Sequence, residues 1–374
     1  MEIYYCFHLL MLCACVFEIK SRKTTKKYVM LSLMIVTIIF GGLRWKVGGD
    51  WDQYLEHFQY SNWSNIFSYQ RRADGTMLEP LFVFINVLIK TIFGTFWMYN
   101  VCVVSFIQIV YYKLSWKFFP QHPLLFYSFL MILIPNYFPV RAGLSIGVSY
   151  LAYIYLYERK IVKYLIVIFA AFMIHKQCIV IFPLFWVAYF RKWLTIPSFI
   201  VLFAAFALLG AVLQDWTVLL SSSIGGDTGD LAYHYTQYQN EAHSQRLNSY
   251  VGWGLNFFFL LVYLFVMKKE NKDKDRWYIT MLIAFILYNG ITMAFTEGMG
   301  ELARLSRLFV LAQVYLFVNA MVYFLSKKRT THIKYFAVLF FVLYYFYRIS
   351  QVGKGFYFEM TCLPYKTIFD YFLI

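Results

Sequence analysis

The chain has 374 residues, of which 61% are hydrophobic, 22% aromatic and only 14% charged, with a mean hydropathy of +0.58. That composition excludes a soluble domain and, without the dyad alternation of a barrel, points to an all-α polytopic membrane protein with one transmembrane domain over 1–374. The formal net charge of +15 is no signature of nucleic acid, because Lys and Arg concentrate in the short cytoplasmic loops of membrane proteins.

In chain order, the first apolar run, 2–18, has no basic residues before it, whereas Lys20, Arg22, Lys23, Lys26 and Lys27 follow it. This charge order places the N-terminus outside and favours a retained first helix over a cleaved signal peptide. Basic loops at 18–27, 113–117, 158–163, 191–192, 268–276 and 326–334 read as cytoplasmic; they hold 5, 2, 3, 2, 5 and 4 Lys or Arg, most of the 34 in the chain. Between the first two of them lie three apolar segments, 28–43, 80–93 and 97–112. Two loops on one side require an even number of crossings, so the shortest segment, 80–93, which follows Glu79-Pro80 and carries Lys90, is expected to re-enter without crossing. The remaining spans are 2–18, 28–43, 97–112, 123–138, 142–157, 163–176, 178–190, 196–213, 251–267, 277–295, 304–325 and 335–348. That makes about twelve crossings plus the re-entrant helix, with both termini outside.

Nearly every unusual polar residue then falls on the outer side: in the loops 44–79 and 214–250, in the turns near Pro139–Gly143, His175–Lys176 and 296–303, and in the tail 349–374. The loop 44–79 opens with Arg44, Trp45, Lys46, Gly48, Gly49, Asp50, Trp51, Asp52 and Tyr54, charges of both signs interleaved with aromatic rings that suit sugars and the interface. The loop 214–250 combines a Gly, Ser and Asp stretch with a Tyr, Gln, Asn and His stretch, a composition that fits a lid as well as a solvated connection.

Arg141, between Pro139 and Gly143, is a charge at the membrane that requires a partner, and its planar guanidinium suits phosphate oxygens. A structural carboxylate could equally be its counter-ion. Arg304 and Arg307 share a face at i, i+3, and positive charge on the outer side runs against the topological bias; an anion accounts for it, as does local pairing with Glu297 and Glu301. His175 lies in a turn between apolar helices beside Lys176 and Gln177. It is either a satisfied structural residue or, given histidine's near-neutral titration, a general base, with Asp50, Asp52 and Glu79 competing for that role. Cys6, Cys13, Cys15, Cys102, Cys178 and Cys362 lie mostly in apolar segments without metal-ligand spacing, and there is no P-loop, dinucleotide fingerprint or HExxH motif. Neither metal nor cofactor is expected.

Four stretches, LRWKVGGDWDQY (Leu43–Tyr54), LEPLF (Leu78–Phe82), VRAGLSIGVSYLAY (Val140–Tyr153) and AAFMIHKQCIVIFPL (Ala170–Leu184), together with RLSRLFVL and Leu363-Pro364-Tyr365, resemble the EpsG family in content and order. These are membrane proteins of exopolysaccharide and O-antigen clusters regarded as Wzy-type polymerases. One departure is Ala142, where a polar residue would follow the Arg. The resemblance implies a GT-C-like helical bundle with an extracytoplasmic groove in the bacterial inner membrane. Its reaction would join oligosaccharide repeat units carried on undecaprenyl pyrophosphate, with membrane lipid around it and a chain-length regulator protein as a candidate partner. Under that reading Arg141, Arg304 and Arg307, with Arg44 behind them, would meet the pyrophosphate. His175, then Asp50, would take the hydroxyl proton, and Trp45, Trp51, Tyr54 and Glu79 would hold sugar. An O-antigen ligase, a lipid-linked sugar flippase and a membrane acyltransferase are the alternatives.

Overall fold

The computed structural model describes residues 2–18, 21–48, 50–70, 75, 77–133, 140–206, 208–209, 252–295, 304–326, 330–351 and 362–372. Helices dominate the described residues. They are α1 (Glu2–Glu18), α2 (Lys23–Gly42), α3 (Trp51–Tyr60), α4 (Pro80–Phe93), α5 (Phe96–Phe118), α6 (Pro123–Leu133), α7 (Arg141–Tyr157) and α8 (Ile161–Phe172), followed by a 3-10 helix at Lys176–Ile181. Further helices cover Ile196–Phe206, Gly252–Lys269, Arg276–Phe295, Val310–Leu325 and Thr331–Gln351. In a bilayer every backbone N–H and C=O needs an internal partner, and apolar runs of this length meet that need only as helices. Among the described residues, four helices, beginning at Lys23, Gly252, Leu305 and Thr331, are each long and apolar enough to cross a membrane.

The chain divides into two compact units, 1–182 with 327–374, and 183–326. In the first, α5 is central: α2, α4, α6 and α7 all pack against it. A Cβ at Gly42 would come within 2.9 Å of the Val101 Cα, so α2 approaches α5 as closely as it does only because that position is glycine. Gly94, with φ of +72°, ends α4 in the left-handed conformation, and α5 leaves at a bend of 118°. The expected separate short helix over 80–93 is therefore present with those bounds. Its Lys90 donates to the carbonyls of Gln59 and Ser61, so the charge that stands out in an apolar segment caps the C-terminal end of α3.

Several polar side chains inside this unit find their partners on other elements. Glu18, at the end of α1, accepts from the backbone N–H of Leu124 and Leu125 at 2.9 and 3.0 Å and so caps α6. Tyr127 donates to Gln108 Oε1, and Tyr345 donates to the His8 carbonyl from the helix Thr331–Gln351. The C-terminal segment is fastened to the start of the 44–79 segment: Trp45 N–H donates to the Lys366 carbonyl at 3.0 Å, and Ile368 N–H donates to the Leu43 carbonyl at 2.8 Å. The Tyr365 ring stacks on Phe40 with centroids 4.8 Å apart. In the second unit, Arg276–Phe295 packs on the 3-10 helix Arg304–Phe309 and on the helix that continues it.

Candidate functional site: Glu79, Arg141 and the His175 turn

Three segments far apart in sequence meet at one carboxylate. Glu79 precedes Pro80, which opens α4; proline lacks an N–H, and the Glu79 side chain makes no capping bond to its own helix. It reaches outward, with Oε2 accepting from Arg141 Nη1 at 3.2 Å and Oε1 accepting from the Lys176 backbone N–H at 3.2 Å. Arg141 is the first residue of α7, and Lys176 is the first of the 3-10 helix that His175 caps. A further bond, Leu81 N–H to the Met173 carbonyl at 3.1 Å, ties the start of α4 to the chain just before His175.

The ion pair is sheltered but not sealed, since Glu79 is 8% exposed and Arg141 19%. Arg141 thus has the structural carboxylate that its position demanded. Yet Glu79 engages only one of its nitrogens, and the buried Nε–H has no hydrogen-bond partner. A buried donor left unmatched costs about 1–3 kcal/mol. His175 is half-buried in extended backbone, on the turn that closes α8 through the bonds of Ile174 and His175 N–H to the Ala171 carbonyl.

The segment 44–69 differs from the expected loop. Residues 51–60 form α3, which lies against α4, and Tyr54 meets Phe82 with ring centroids 6.1 Å apart. Arg44 is 2% exposed; it donates to the Gly41 carbonyl and lies over the Trp51 ring at 5.5 Å. Burial pushes its pKa down to about 9, against the opposing influence of Tyr365, Tyr99, Cys362 and Tyr4 around it. Trp51 is itself buried, edge-on to Phe96 at 5.0 Å and to Trp45 at 5.6 Å. Arg44 is thus enclosed by aromatic rings, Trp51 is part of the core, and Glu79 is bonded to Arg141 and the Lys176 amide. Trp45 and Tyr54 are half-buried, and Asp50 is exposed in the left-handed conformation at the start of α3. The most exposed rings of the segment are Tyr60, Trp63 and Phe67.

Arg304 and Arg307 open the 3-10 helix Arg304–Phe309 in the second unit, where Arg307 is exposed. The Arg304 side chain, the loop 214–250 and the turn 296–303 lie outside the described residues, as does the Pro139 side of the Arg141 turn. Among the described residues no three His, Cys, Asp or Glu side chains come together as metal ligands. Sequence reading paired Arg141 with no particular carboxylate. The signal was Glu79-Pro80, a helix start whose acidic side chain has no proline amide to cap.

No curated protein and no solved structure matches the chain. The EpsG family model matches residues 27–367, a range that contains Glu79, Arg141 and His175 and nearly every described helix. With that match over an all-helical, apolar fold, the chain belongs to the EpsG family of Wzy-type, polymerase-like membrane proteins.

Proposed function

We propose that the protein is a polysaccharide polymerase that joins oligosaccharide repeat units carried on undecaprenyl pyrophosphate, at the outer face of the bacterial inner membrane. The observation that carries this reading is the Arg141 guanidinium: held on one nitrogen by Glu79, still 19% exposed, and placed at the first turn of a 17-residue helix whose leading amides also favour an anion.

In the reaction, a hydroxyl oxygen of the acceptor repeat forms a bond to the anomeric carbon of the donor, and the bond from that carbon to the pyrophosphate oxygen breaks. The hydroxyl proton passes to His175, whose turn is tied to the same carboxylate as Arg141. The electron pair leaves with the lipid pyrophosphate, and Arg141 stabilises the charge as it develops. Trp45 and Tyr54, with the exposed Tyr60, Trp63 and Phe67, offer rings to the glycan. Asp50, exposed at the start of α3, is the second candidate base.

The twelve crossings and the outer groove belong to this reading as well. In it α4 dips in and returns, and the shorter apolar helices line the bundle between the crossings. The test is complementation of a polymerase-deficient strain, followed by sizing of the surface polysaccharide. Arg141→Ala is expected to leave single repeat units at normal protein level, and His175→Ala to reduce polymer at least a hundredfold. Full-length polymer from Arg141→Ala contradicts the proposal. Loss of single repeats from the outer face would indicate a flippase, and preformed polymer that is no longer transferred to its acceptor would indicate a ligase.

A further inference from the structure

We propose that Glu79 is a positioning residue. Its carboxylate holds the Arg141 guanidinium and the backbone turn bearing His175 in one fixed relation, so that the group receiving the leaving pyrophosphate and the group taking the hydroxyl proton address the same substrate. The inference rests on the roles given above to Arg141 and His175, and it replaces the sugar-binding role that the sequence suggested for Glu79.

Three observations carry it. First, Glu79 occupies the capping position of α4 without capping it, so its side chain is free to bridge two other elements. Second, each carboxylate oxygen has its own task, Oε2 at 3.2 Å from Arg141 Nη1 and Oε1 at 3.2 Å from the Lys176 amide, across 62 and 97 residues of chain. The Leu81 to Met173 bond makes the junction two-point, which fixes angle as well as distance. Third, the pairing engages one Arg141 nitrogen and leaves the side chain 19% exposed, so Glu79 can stay in place while an anion meets the exposed part of the guanidinium. A substrate hydroxyl seeking Glu79 as its base would have to displace one of the two donors, and the carboxylate is 8% exposed. The arrangement parallels the outer-shell carboxylates that orient metal ligands, whose loss costs on the order of tenfold to a hundredfold in affinity.

The test uses the full chain in lipid nanodiscs, with sugar-free undecaprenyl pyrophosphate as binding probe. Glu79→Gln keeps an acceptor for the Lys176 amide and loses only the charge pair, so its melting temperature should fall less than that of Glu79→Ala, while probe affinity of the folded protein falls on the order of tenfold. Glu79→Ala and Arg141→Ala should be strongly non-additive in probe affinity, because each removes the same arrangement. Glu79→Asp should recover part of the loss. In polymer synthesis, the acid limb of the pH profile should persist in Glu79→Gln at a lower rate. Additive losses overturn the inference, and so does disappearance of the acid limb, which would make Glu79 the base. If the parent protein neither binds the probe nor makes polymer, the functional reading fails instead. The positioning claim then rests on coupling of Glu79→Ala with Arg141→Ala in thermal unfolding, where additive shifts overturn it.

Discussion

Arg141 and Arg44 are both arginines at the edge of apolar segments, and the surroundings of each decide what its removal does. Arg141 keeps one buried edge without an acceptor and sits beside a carboxylate shared with the His175 turn. Arg44 is enclosed by Trp51, Tyr99, Tyr365 and Tyr4 with a hydrogen bond to the Gly41 carbonyl. Arg44→Ala should therefore cost stability, on the order of 2 kcal/mol or more from the lost cation–π contact and the space left behind. Thermal unfolding in nanodiscs reads the loss, and the folded fraction should bind undecaprenyl pyrophosphate as the parent does. A normal melting temperature with lost probe binding would return Arg44 to the substrate site. Sequence alone could not separate the two arginines, because each stands at a helix edge and only tertiary packing tells which becomes enclosed.

At the scale of elements, most of the described helices lie within the apolar runs that the basic loops mark off, and α4 has the bounds expected of a short segment after Glu79-Pro80. What the sequence did not disclose is how helix ends are satisfied. Glu18 seemed to belong to a solvated basic loop, yet it is 2% exposed and caps the first turn of α6 across more than a hundred residues. Lys90 seemed out of place in an apolar helix until its amine was found on the carbonyls ending α3. Such long-range caps have no local signature, since the partner amides and carbonyls are backbone and invisible to composition. Glu18→Ala strands two amides and should destabilise the first unit by about 1–2 kcal/mol, while Glu18→Gln retains an acceptor and should lose less. Equal losses from the two substitutions would show that the charge matters rather than the cap. The helix α3 was itself missed because its sequence, WDQYLEHFQY, is polar enough to read as loop; only packing on α4 exposes its apolar side.

For the whole molecule, the charge distribution over the loops predicts the orientation. A single cysteine placed at Arg159 or Lys274 should react with a membrane-impermeant maleimide only after the membrane is opened, whereas one at Ser64 should react in intact spheroplasts. The reverse pattern would invert the topology and move the Glu79–Arg141 pair to the cytoplasmic face, where no lipid-linked repeat awaits polymerisation. The site was legible in part. Arg141, His175 and Glu79 each stood out singly, for charge at a membrane edge or for position in a turn, but their meeting depends on α4, α7 and α8 converging, which no spacing rule encodes. Arg304 and Arg307 lie in the other compact unit.

The most direct test of the central claim reconstitutes the purified protein with one lipid-linked repeat unit, without nucleotide or partner protein, and follows the products on a gel. The account predicts a ladder of lengthening glycans and release of undecaprenyl pyrophosphate, both lost in Arg141→Ala. A ladder undiminished in Arg141→Ala, or movement of the intact lipid-linked sugar across the bilayer with no ladder at all, would contradict it.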